Sequence, residues 1–145
     1  MAKLIIMQGI PGSGKSRVAR KLAKRLGASI VSADDLPGLY AADGFHPELL
    51  GEAHRECFRQ AVTAVAMGAV VVVDNTNLTA LEMAPYVALG AAFGYTVEIV
   101  RVLCPQPVAY ARQTHGVPLA VHRGMARRLR EFQMPPYWDV TIREV

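Results

Sequence analysis

Residues 9–16 read GIPGSGKS, in which three glycines precede the adjacent pair Lys15 and Ser16. A short apolar run, Leu4–Met7, comes before this segment, and the helical pattern Arg17–Leu26 follows it. A phosphate-binding loop needs this order of strand, glycine loop and helix, because backbone N–H groups and the positive end of the helix dipole then point at a polyphosphate. We therefore expect a nucleoside triphosphate here, with Lys15 reaching its β- and γ-phosphates and Ser16 binding Mg²⁺.

Most of this loop and the residue after it are expected to contact the nucleotide. The predicted contacts are Gly9, Pro11, Gly12, Ser13, Gly14, Lys15, Ser16 and Arg17. The sequence has no Asn-Lys-x-Asp segment, the motif that reads guanine. ATP is therefore the expected donor, with Mg²⁺ as its metal.

Two further polar clusters follow predicted strands. Asp34 and Asp35 come after the strand candidate Ser29–Ala33, and an Asp-Asn-Thr-Asn segment at 74–77 closes the run Ala69–Asp74. Ligands of α/β sheets bind at the carboxyl ends of parallel strands. The sequence therefore predicts that both clusters meet the phosphate loop in one crevice.

Each cluster has a chemical and a structural interpretation. Asp34 or Asp35 is suited to accept the proton of an attacking hydroxyl or to hold Mg²⁺ through water, although paired aspartates also cap turns. Asp74 is a candidate metal residue, and a polar turn that merely ends the strand is the alternative for its neighbours. The residues expected to orient a substrate are Asp35, Asn75, Thr76 and Asn77.

The arginines are concentrated where carboxylates are absent. Arg112 lies between two helical patterns, in a segment suited to a mobile lid whose arginine neutralises charge on a transferred phosphoryl group. Arg123 and Arg127 share a helix face that either clamps phosphates or is solvated. The net charge of +4 permits an anionic partner such as nucleic acid. Between Glu98 and Glu131 there is no acidic residue, and the span holds Arg101, Arg112, Arg123, Arg127, Arg128 and Arg130.

Apolar runs and helical patterns alternate along the chain, which indicates a single α/β domain, 1–145, with a mostly parallel sheet. The strand candidates are Leu4–Met7, Ser29–Ala33, Ala69–Asp74, Thr96–Leu103 and Val140–Val145. The helical patterns are Arg17–Leu26, Pro47–Met67, Leu81–Phe93, Gln106–Thr114 and Leu119–Phe132.

Three local features qualify this assignment. Thr79 and Glu82 have capping-box spacing, but Pro85 is able to delay the start of that helix to its own position. The segment Leu36–Phe45 is expected to be a surface loop beside the site. On the last helical pattern, the stripe expected to face the core is Val121, Met125, Leu129 and Phe132.

Composition narrows the protein class. No signal peptide is visible, and the longest apolar stretch, 61–73, contains Gly68 and is too short to cross a bilayer. Cys57 and Cys104 lack the spacing of metal ligands and are expected to be reduced thiols. These features favour a cytoplasmic protein without a membrane partner and leave its oligomeric state open.

The segments GIPGSGKS, SADD at 32–35, VVVDNTN at 71–77 and the stretch 112–117 together resemble the polynucleotide-kinase-like P-loop kinases. The resemblance extends over about residues 3–133. It is closest to kinase-like domains found beside ubiquitin-ligase-binding regions and in stand-alone microbial and phage chains. In this family Lys15 and Ser16 match the phosphate and metal positions, Asp34 matches the general base, and Arg112 matches a lid arginine.

The resemblance implies ATP- and Mg²⁺-dependent transfer of a γ-phosphate to a hydroxyl, often the 5′-hydroxyl of DNA or RNA. It also implies a three-layer P-loop NTPase fold, with five parallel strands in the order 2-3-1-4-5 and a small helical lid.

The acid pair departs from the Arg-Asp-Asp-x-Arg pattern that polynucleotide kinases commonly have, since Ala33 and Pro37 stand at the arginine positions. The second of those arginines normally grips the acceptor phosphate. A nucleic-acid acceptor, with DNA favoured over RNA, remains the main expectation. Its hydroxyl is either a strand 5′-end or a hydroxymethyl group on a modified base, as in related phage kinases. A small-molecule kinase of the same fold and an ATPase module without an acceptor are the alternatives.

Overall fold

The computed structural model describes residues 2–145. At the centre of the molecule lies a sheet of five parallel strands. The order of the strands across the sheet is β2-β3-β1-β4-β5, numbered along the chain, and Ile5 in the central strand pairs with Val72 on one side and Glu98 on the other. This confirms the predicted parallel sheet and its 2-3-1-4-5 order. The strands are β1 (Lys3–Gln8), β2 (Ser29–Val31), β3 (Val71–Val73), β4 (Thr96–Arg101) and β5 (Val140–Glu144).

Helices follow the strands and cover the sheet. Two short 3₁₀ turns, Ala33–Asp35 and Pro47–Leu49, add to the helices. The α-helices are α1 (Lys15–Leu26), α2 (Leu50–Ala66), α3 (Ala80–Ala92), α4 (Gln106–Arg112) and α5 (Leu119–Glu131).

The central strand β1 divides the core into two layers. Leu4 and Ile6 pack with residues of α2 and α3, whereas Ile5 and Met7 pack with residues of α1 on the opposite face. Alternate side chains of a strand point to opposite faces, so an unbroken apolar run is what a strand buried on both sides requires. A third, smaller cluster joins α4 and α5 to Ile10, just beyond the carboxyl end of β1.

Helix α3 begins at Ala80, and the alternative start at Pro85 is wrong. The Thr79 hydroxyl accepts from the Glu82 amide at 3.3 Å, and the Glu82 carboxylate accepts from the Thr79 amide at 3.3 Å. This capping box satisfies the first turn and fixes where the helix starts. Pro85 then lies inside the helix and removes the bond to the Leu81 carbonyl. Leu81 is exposed, so the bond that the proline removes lies on the solvent side of the helix.

Two other regions differ from the sequence prediction. The segment predicted as a loop at 36–45 contains a hairpin in which Tyr40–Ala41 pairs antiparallel with Gly44–Phe45. Strands of two residues are too short to leave an alternating pattern in the sequence. On α5 the buried positions are His122 and Ala126, whereas Val121 is exposed, so the core-facing stripe is turned by about one residue from the predicted one.

Within residues 2–145, the structure has no helix that combines the length and the apolar character needed to cross a membrane.

Substitution by alanine at two helical glycines should have opposite effects on the free energy of unfolding. A Cβ on Gly90 of α3 would lie 2.4 Å from Val97 Cγ2 in the core, whereas a Cβ on Gly124 of α5 would meet nothing closer than an arginine nitrogen at 3.9 Å. We expect Gly90→Ala to lower the free energy of unfolding by about 1–3 kcal/mol through overpacking. Gly124→Ala is the control and should raise it by about 0.5–1 kcal/mol through helix propensity. Urea denaturation measures both, and a stabilised Gly90→Ala protein would contradict the close packing of α3 on β4.

Candidate active site

The predicted phosphate loop joins the carboxyl end of β1 to the first turn of α1. Gly12 and Gly14 have φ values of +85° and +92°, a region that side chains other than glycine rarely adopt. A Cβ on Gly12 would lie 1.9 Å from the carbonyl oxygen of Ala109, because α4 packs directly on the loop. Gly14 immediately precedes α1, where Ser16 and Arg17 lie exposed in the first turn.

A buried histidine ties this loop to the helices α4 and α5. His122 of α5 is fully buried, and its Nε2 lies 2.8 Å from the Pro11 carbonyl oxygen, while its Nδ1 lies 3.1 Å from the Gln106 amide nitrogen. Because a carbonyl only accepts, Nε2 carries the hydrogen, and Nδ1 accepts from the Gln106 side chain. The sequence analysis missed His122, whose only signal was its position on the same helix face as Ala126 and Leu129.

The interior of the loop is suited to a phosphate group. Ser13 Oγ is the one buried side-chain polar atom within residues 2–145 that has no hydrogen-bond partner. The amides of Gly12 and Gly14 also donate to no acceptor in this part of the chain. A Cβ on Gly9 would lie 2.9 Å from Ser13 Oγ, so glycine at this position keeps the interior clear. A buried hydroxyl without a partner is rare, and an anion would satisfy it together with the two amides.

The predicted phosphate lysine and metal carboxylate lie together. Lys15 Nζ is 3.5 Å from Asp74 Oδ1, and both side chains are about nine-tenths buried. Within residues 2–145, no three His, Cys, Asp or Glu side chains form a cluster suited to a metal. Mg²⁺ commonly takes only one or two protein oxygens and fills its shell with water and phosphate oxygens. The donors Ser16 and Asp74 fit that requirement.

The two candidate base residues lie in the 3₁₀ turn Ala33–Asp35 at the carboxyl end of β2. Ser32 caps this turn by accepting from the Asp34 amide, so neither aspartate side chain is needed as the cap. The Asp34 side chain is about half exposed, and its Oδ2 lies 3.9 Å from His115 Nδ1. Asp35 lines a cavity of about 220 Å³ between the turn and α2.

Asn75 positions this turn through a short chain of polar contacts. Its Oδ1 accepts from the Ala33 amide at 2.9 Å, and its Nδ2 donates to Cys57 Sγ at 3.5 Å. The Tyr86 hydroxyl donates to the same sulfur at 3.3 Å. Burial raises the pKa of the Cys57 thiol, so the sulfur accepts these bonds as a neutral group. The chain links α3 and α2 to the backbone beside Asp34.

The structure also gives Asn77 and Thr76 bonds to the protein. Asn77 is buried at φ +49°, and its Nδ2 donates to the Met7 carbonyl at 2.8 Å, while the Thr76 carbonyl accepts from the Gly9 amide at 3.1 Å. The Asn77 side-chain amide thus holds the end of β1, and a substrate contact of this residue stays a prediction. The three polar clusters are joined, as expected, at one edge of the sheet.

The predicted arginines fall into two groups. Arg101 Nε donates to Gln8 Oε1 at 2.7 Å, and its guanidinium lies over the Phe132 ring, so this arginine is a structural residue. Arg112 ends α4, and Arg123 and Arg127 lie on the exposed face of α5. None of these three makes an ion pair with any residue from 2 to 145.

The loop after Arg112 is closed by Gln113. The Gln113 side chain both accepts from the Val117 amide, at 2.9 Å, and donates to the Val117 carbonyl, at 2.8 Å. This pair of bonds shapes the segment that carries His115 toward Asp34. The sequence analysis placed a lid here but did not identify Gln113.

Known proteins resemble this chain in sequence. A family described as AAA domain matches residues 4–132. Human NEDD4-binding protein 2 is 36% identical over 102 residues, which cover 65% of this chain and 5% of that protein. The chain thus spans a small part of this relative's length.

Solved structures share the fold. A chain of the Pnkp1/Rnl/Hen1 RNA repair complex has a TM-score of 0.75 at 19% identity, over 90% of this chain and 44% of that one, a likeness of fold alone. The APS kinase CysC of Mycobacterium tuberculosis, in complex with AMPPNP and APS, has a TM-score of 0.62 at 25% identity, over 97% of this chain and 87% of that one. The architecture is therefore that of P-loop kinases.

The expected contact between Lys15 and the phosphates of the nucleotide is tested by removing its ammonium group. We expect Lys15→Ala to weaken MgATP binding about 10- to 150-fold, because a hydrogen bond to a charged group contributes about 1.5–3 kcal/mol. Isothermal titration calorimetry measures the Kd. Lys24→Ala, which changes an exposed lysine in the last turn of α1, is the matched control and should leave the Kd unchanged. Equal affinities for the two variants would show that Lys15 does not contact the phosphates.

Proposed function

The chain belongs to the AAA domain family, whose match spans residues 4–132, and from this membership and the P-loop kinase fold we propose an ATP- and Mg²⁺-dependent phosphotransferase that acts on a hydroxyl of nucleic acid. The observation that carries the proposal is the placement of a solvent-accessible carboxylate, Asp34, at the same sheet edge as a loop with unpartnered donors. Nucleotide binding alone does not require a carboxylate at that place.

The nucleotide half of the site would be held by the loop and by α1. Bound MgATP would supply the phosphoryl group and part of its charge neutralisation. The Gly12 and Gly14 amides, the Ser13 hydroxyl and the Lys15 ammonium are the groups suited to the phosphates, and Ser16 with Asp74 is suited to the metal. In the absence of phosphate, Asp74 compensates the largely buried charge of Lys15.

The acceptor half would be organised around Asp34. Its carboxylate accepts the proton of the acceptor hydroxyl while the hydroxyl oxygen forms a bond to phosphorus and the bond to the leaving phosphate oxygen breaks. Such transfer depends mainly on alignment and on neutralising the charge of the phosphoryl oxygens. Arg112, at the end of α4 and free of ion pairs within residues 2–145, is suited to the second task.

A nucleic-acid acceptor is supported by exposed arginines of α4 and α5 that make no ion pair within residues 2–145. Arg112, Arg123 and Arg127 are exposed, and the sequence has no acidic residue between Glu98 and Glu131. Such residues neutralise strand phosphates. The likeness of fold to a chain of an RNA repair complex agrees with this acceptor. Strands of DNA and of RNA are both candidates, through a 5′-hydroxyl or a hydroxymethyl group on a base.

A small-molecule acceptor is the second candidate, and one cavity favours it. The space of about 220 Å³ beside Asp35 is lined by polar side chains that include Ser32, Glu56 and Gln60, and no lysine or arginine lines it. Carboxylates and amides of this kind bind neutral polyols or cations better than phosphates. The likeness to APS kinase agrees with a compact acceptor.

If Asp34 is the general base, its substitution should impair phosphoryl transfer without changing the affinity for MgATP. We expect Asp34→Asn to lower kcat for phosphoryl transfer about 10²- to 10⁴-fold, the usual contribution of a general base, while the Kd for MgATP stays unchanged. Asp35→Asn, at the adjacent position, is the matched control. Loss of transfer in Asp35→Asn with full activity in Asp34→Asn would move the base to Asp35.

The acceptors in that assay separate the candidate functions. Labelled MgATP would be offered linear DNA and RNA with free 5′-hydroxyls, closed circular DNA with hydroxymethyl pyrimidines, and a set of polyols. Label on linear strands alone identifies a strand-end kinase, and label on the circle identifies a base-hydroxyl kinase. Label on polyols alone would reject the nucleic-acid acceptor, and label on none of them would favour an ATPase module.

The exposed arginines predict a salt-dependent affinity. If they bind strand phosphates, Arg123→Ala and Arg127→Ala should each reduce the slope of log K against log salt by about 1. Arg25→Ala, an exposed arginine in the last turn of α1, is the control and should leave the slope unchanged. Fluorescence anisotropy with a labelled single strand measures the affinity. Slopes that are the same in all three variants would exclude this face as the strand-binding surface.

A further inference from the structure

Three rings lie together beside Asp34. Tyr40 and Phe45 are cross-strand partners in the hairpin, with ring centroids 5.2 Å apart and planes 30° apart. The His115 imidazole from the lid loop stacks on Tyr40 at 4.5 Å and 28°. We refer to Tyr40 and Phe45 as the hairpin rings. The sequence analysis assigned no chemistry to either of them.

The hairpin rings are exposed although the base of the hairpin is anchored in the core. Tyr40 keeps 40% and Phe45 keeps 45% of its surface accessible, whereas Leu39, directly before Tyr40, is fully buried. The His46 amide donates to the Leu39 carbonyl at 2.8 Å, and the His46 ring contacts Asp43 and Glu48. Two-residue strands gain little from such a pair alone, so large exposed rings on a fixed support suggest a ligand.

Tyr40 brings the hairpin rings to the proposed base. Partial burial, and then the neighbouring Asp34 carboxylate, raise the pKa of the Tyr40 hydroxyl to about 12, so this hydroxyl stays protonated near neutral pH. The same carboxylate lies 3.9 Å from His115 Nδ1. A group stacked on these rings is therefore adjacent to the residue that would receive the acceptor proton.

We propose that the hairpin rings form a stacking platform for the nucleobase next to the accepting hydroxyl, and that the His115 imidazole occupies part of this platform in the free protein. The proposal rests on the proposed nucleic-acid acceptor and adds the way in which that acceptor is held. Aromatic side chains bind bases of any sequence, because every base presents a flat face.

The charges around the hairpin favour a base over a phosphate at this point. Residues 36–54 contain no lysine or arginine, and the nearby His46 ring is already paired with Asp43 and Glu48, so the hairpin offers rings but no unpaired cation. The exposed arginines of α4 and α5, by contrast, make no ion pair within residues 2–145. The stacked imidazole is itself a planar nitrogen heterocycle, which indicates that the Tyr40 face accepts such a ring beside a carboxylate.

The test compares acceptor strands that have a normal or an abasic residue at the site of phosphorylation, in both DNA and RNA. For the wild-type protein we expect kcat/KM to be about 5- to 150-fold lower on the abasic strand, the range for one base–aromatic stack. Tyr40→Leu and Phe45→Leu should lose most of this preference through a higher KM on the normal strand, with kcat changed little. Tyr40→Phe and Phe45→Tyr keep the ring and should retain the preference.

Two controls separate stacking from folding. Phe93→Leu changes an exposed phenylalanine at the end of α3 and should behave as wild type. A strand with 2-aminopurine at the same position should be quenched on binding to the wild type and to Phe45→Tyr, but not to Phe45→Leu.

The outcomes that overturn the platform differ from those that overturn the function. Transfer at equal rates to normal and abasic strands would reject the platform while the nucleic-acid kinase stands. A base preference that survives in both leucine variants would also reject it. No transfer to any strand, together with no quenching, would reject the nucleic-acid acceptor and the platform with it.

Discussion

The phosphate loop has to be held rigidly while its own amide donors stay available, and the rest of the structure is arranged around that requirement. Any N–H that is used to fix the loop is lost to a ligand, so much of the support uses other atoms. His122 donates to the Pro11 carbonyl, and Gly12 touches the Ala109 carbonyl through backbone contact without a hydrogen bond. Of the glycine amides, that of Gly9 is bound, to Thr76, while those of Gly12 and Gly14 donate to nothing within residues 2–145. The Ser13 hydroxyl is buried without a partner, which costs free energy, so the loop is arranged for binding at some expense to its stability.

A buried polar network beneath the loop fixes the edge of the sheet from which it starts. Gln8 is fully buried, and its side chain accepts from Arg101 at 2.7 Å and donates to the Asn77 carbonyl at 3.1 Å. Asn77 in turn donates to the Met7 carbonyl at 2.8 Å. The ends of β1 and β4 and the loop after β3 are thus joined by hydrogen bonds of largely buried side chains. Such a network specifies one geometry, because a displaced member would leave its partner buried and unpaired.

The sequence was informative where a signal is local. The apolar run of β1, the glycine loop and the capping box of Thr79 and Glu82 each depend on residues a few positions apart, and all three could be predicted, as could the strand order through family resemblance. Pro85 misled because it weakens a helix without preventing one. The functions of His122 and Asn77 depend on partners 111 and 70 residues away in the chain, and no periodicity reveals such partners. The hairpin rings were missed for the same reason, since only the fold brings them to Asp34 and His115.

The two halves of the site are supported by different parts of the fold, and the segment that follows α4 connects them. The turn that carries Asp34 is fixed through Asn75 to Cys57 of α2 and, through that sulfur, to Tyr86 of α3, whereas the phosphate loop is fixed by α4 and α5. The segment after α4 then reaches across to Asp34 through His115. Gly12 and Ala109 leave no space for a side chain between loop and helix, and the chain that leaves α4 carries His115. The phosphate loop and Asp34 are therefore connected through packing on α4 and through the His122 hydrogen bonds that join the loop to α4 and α5.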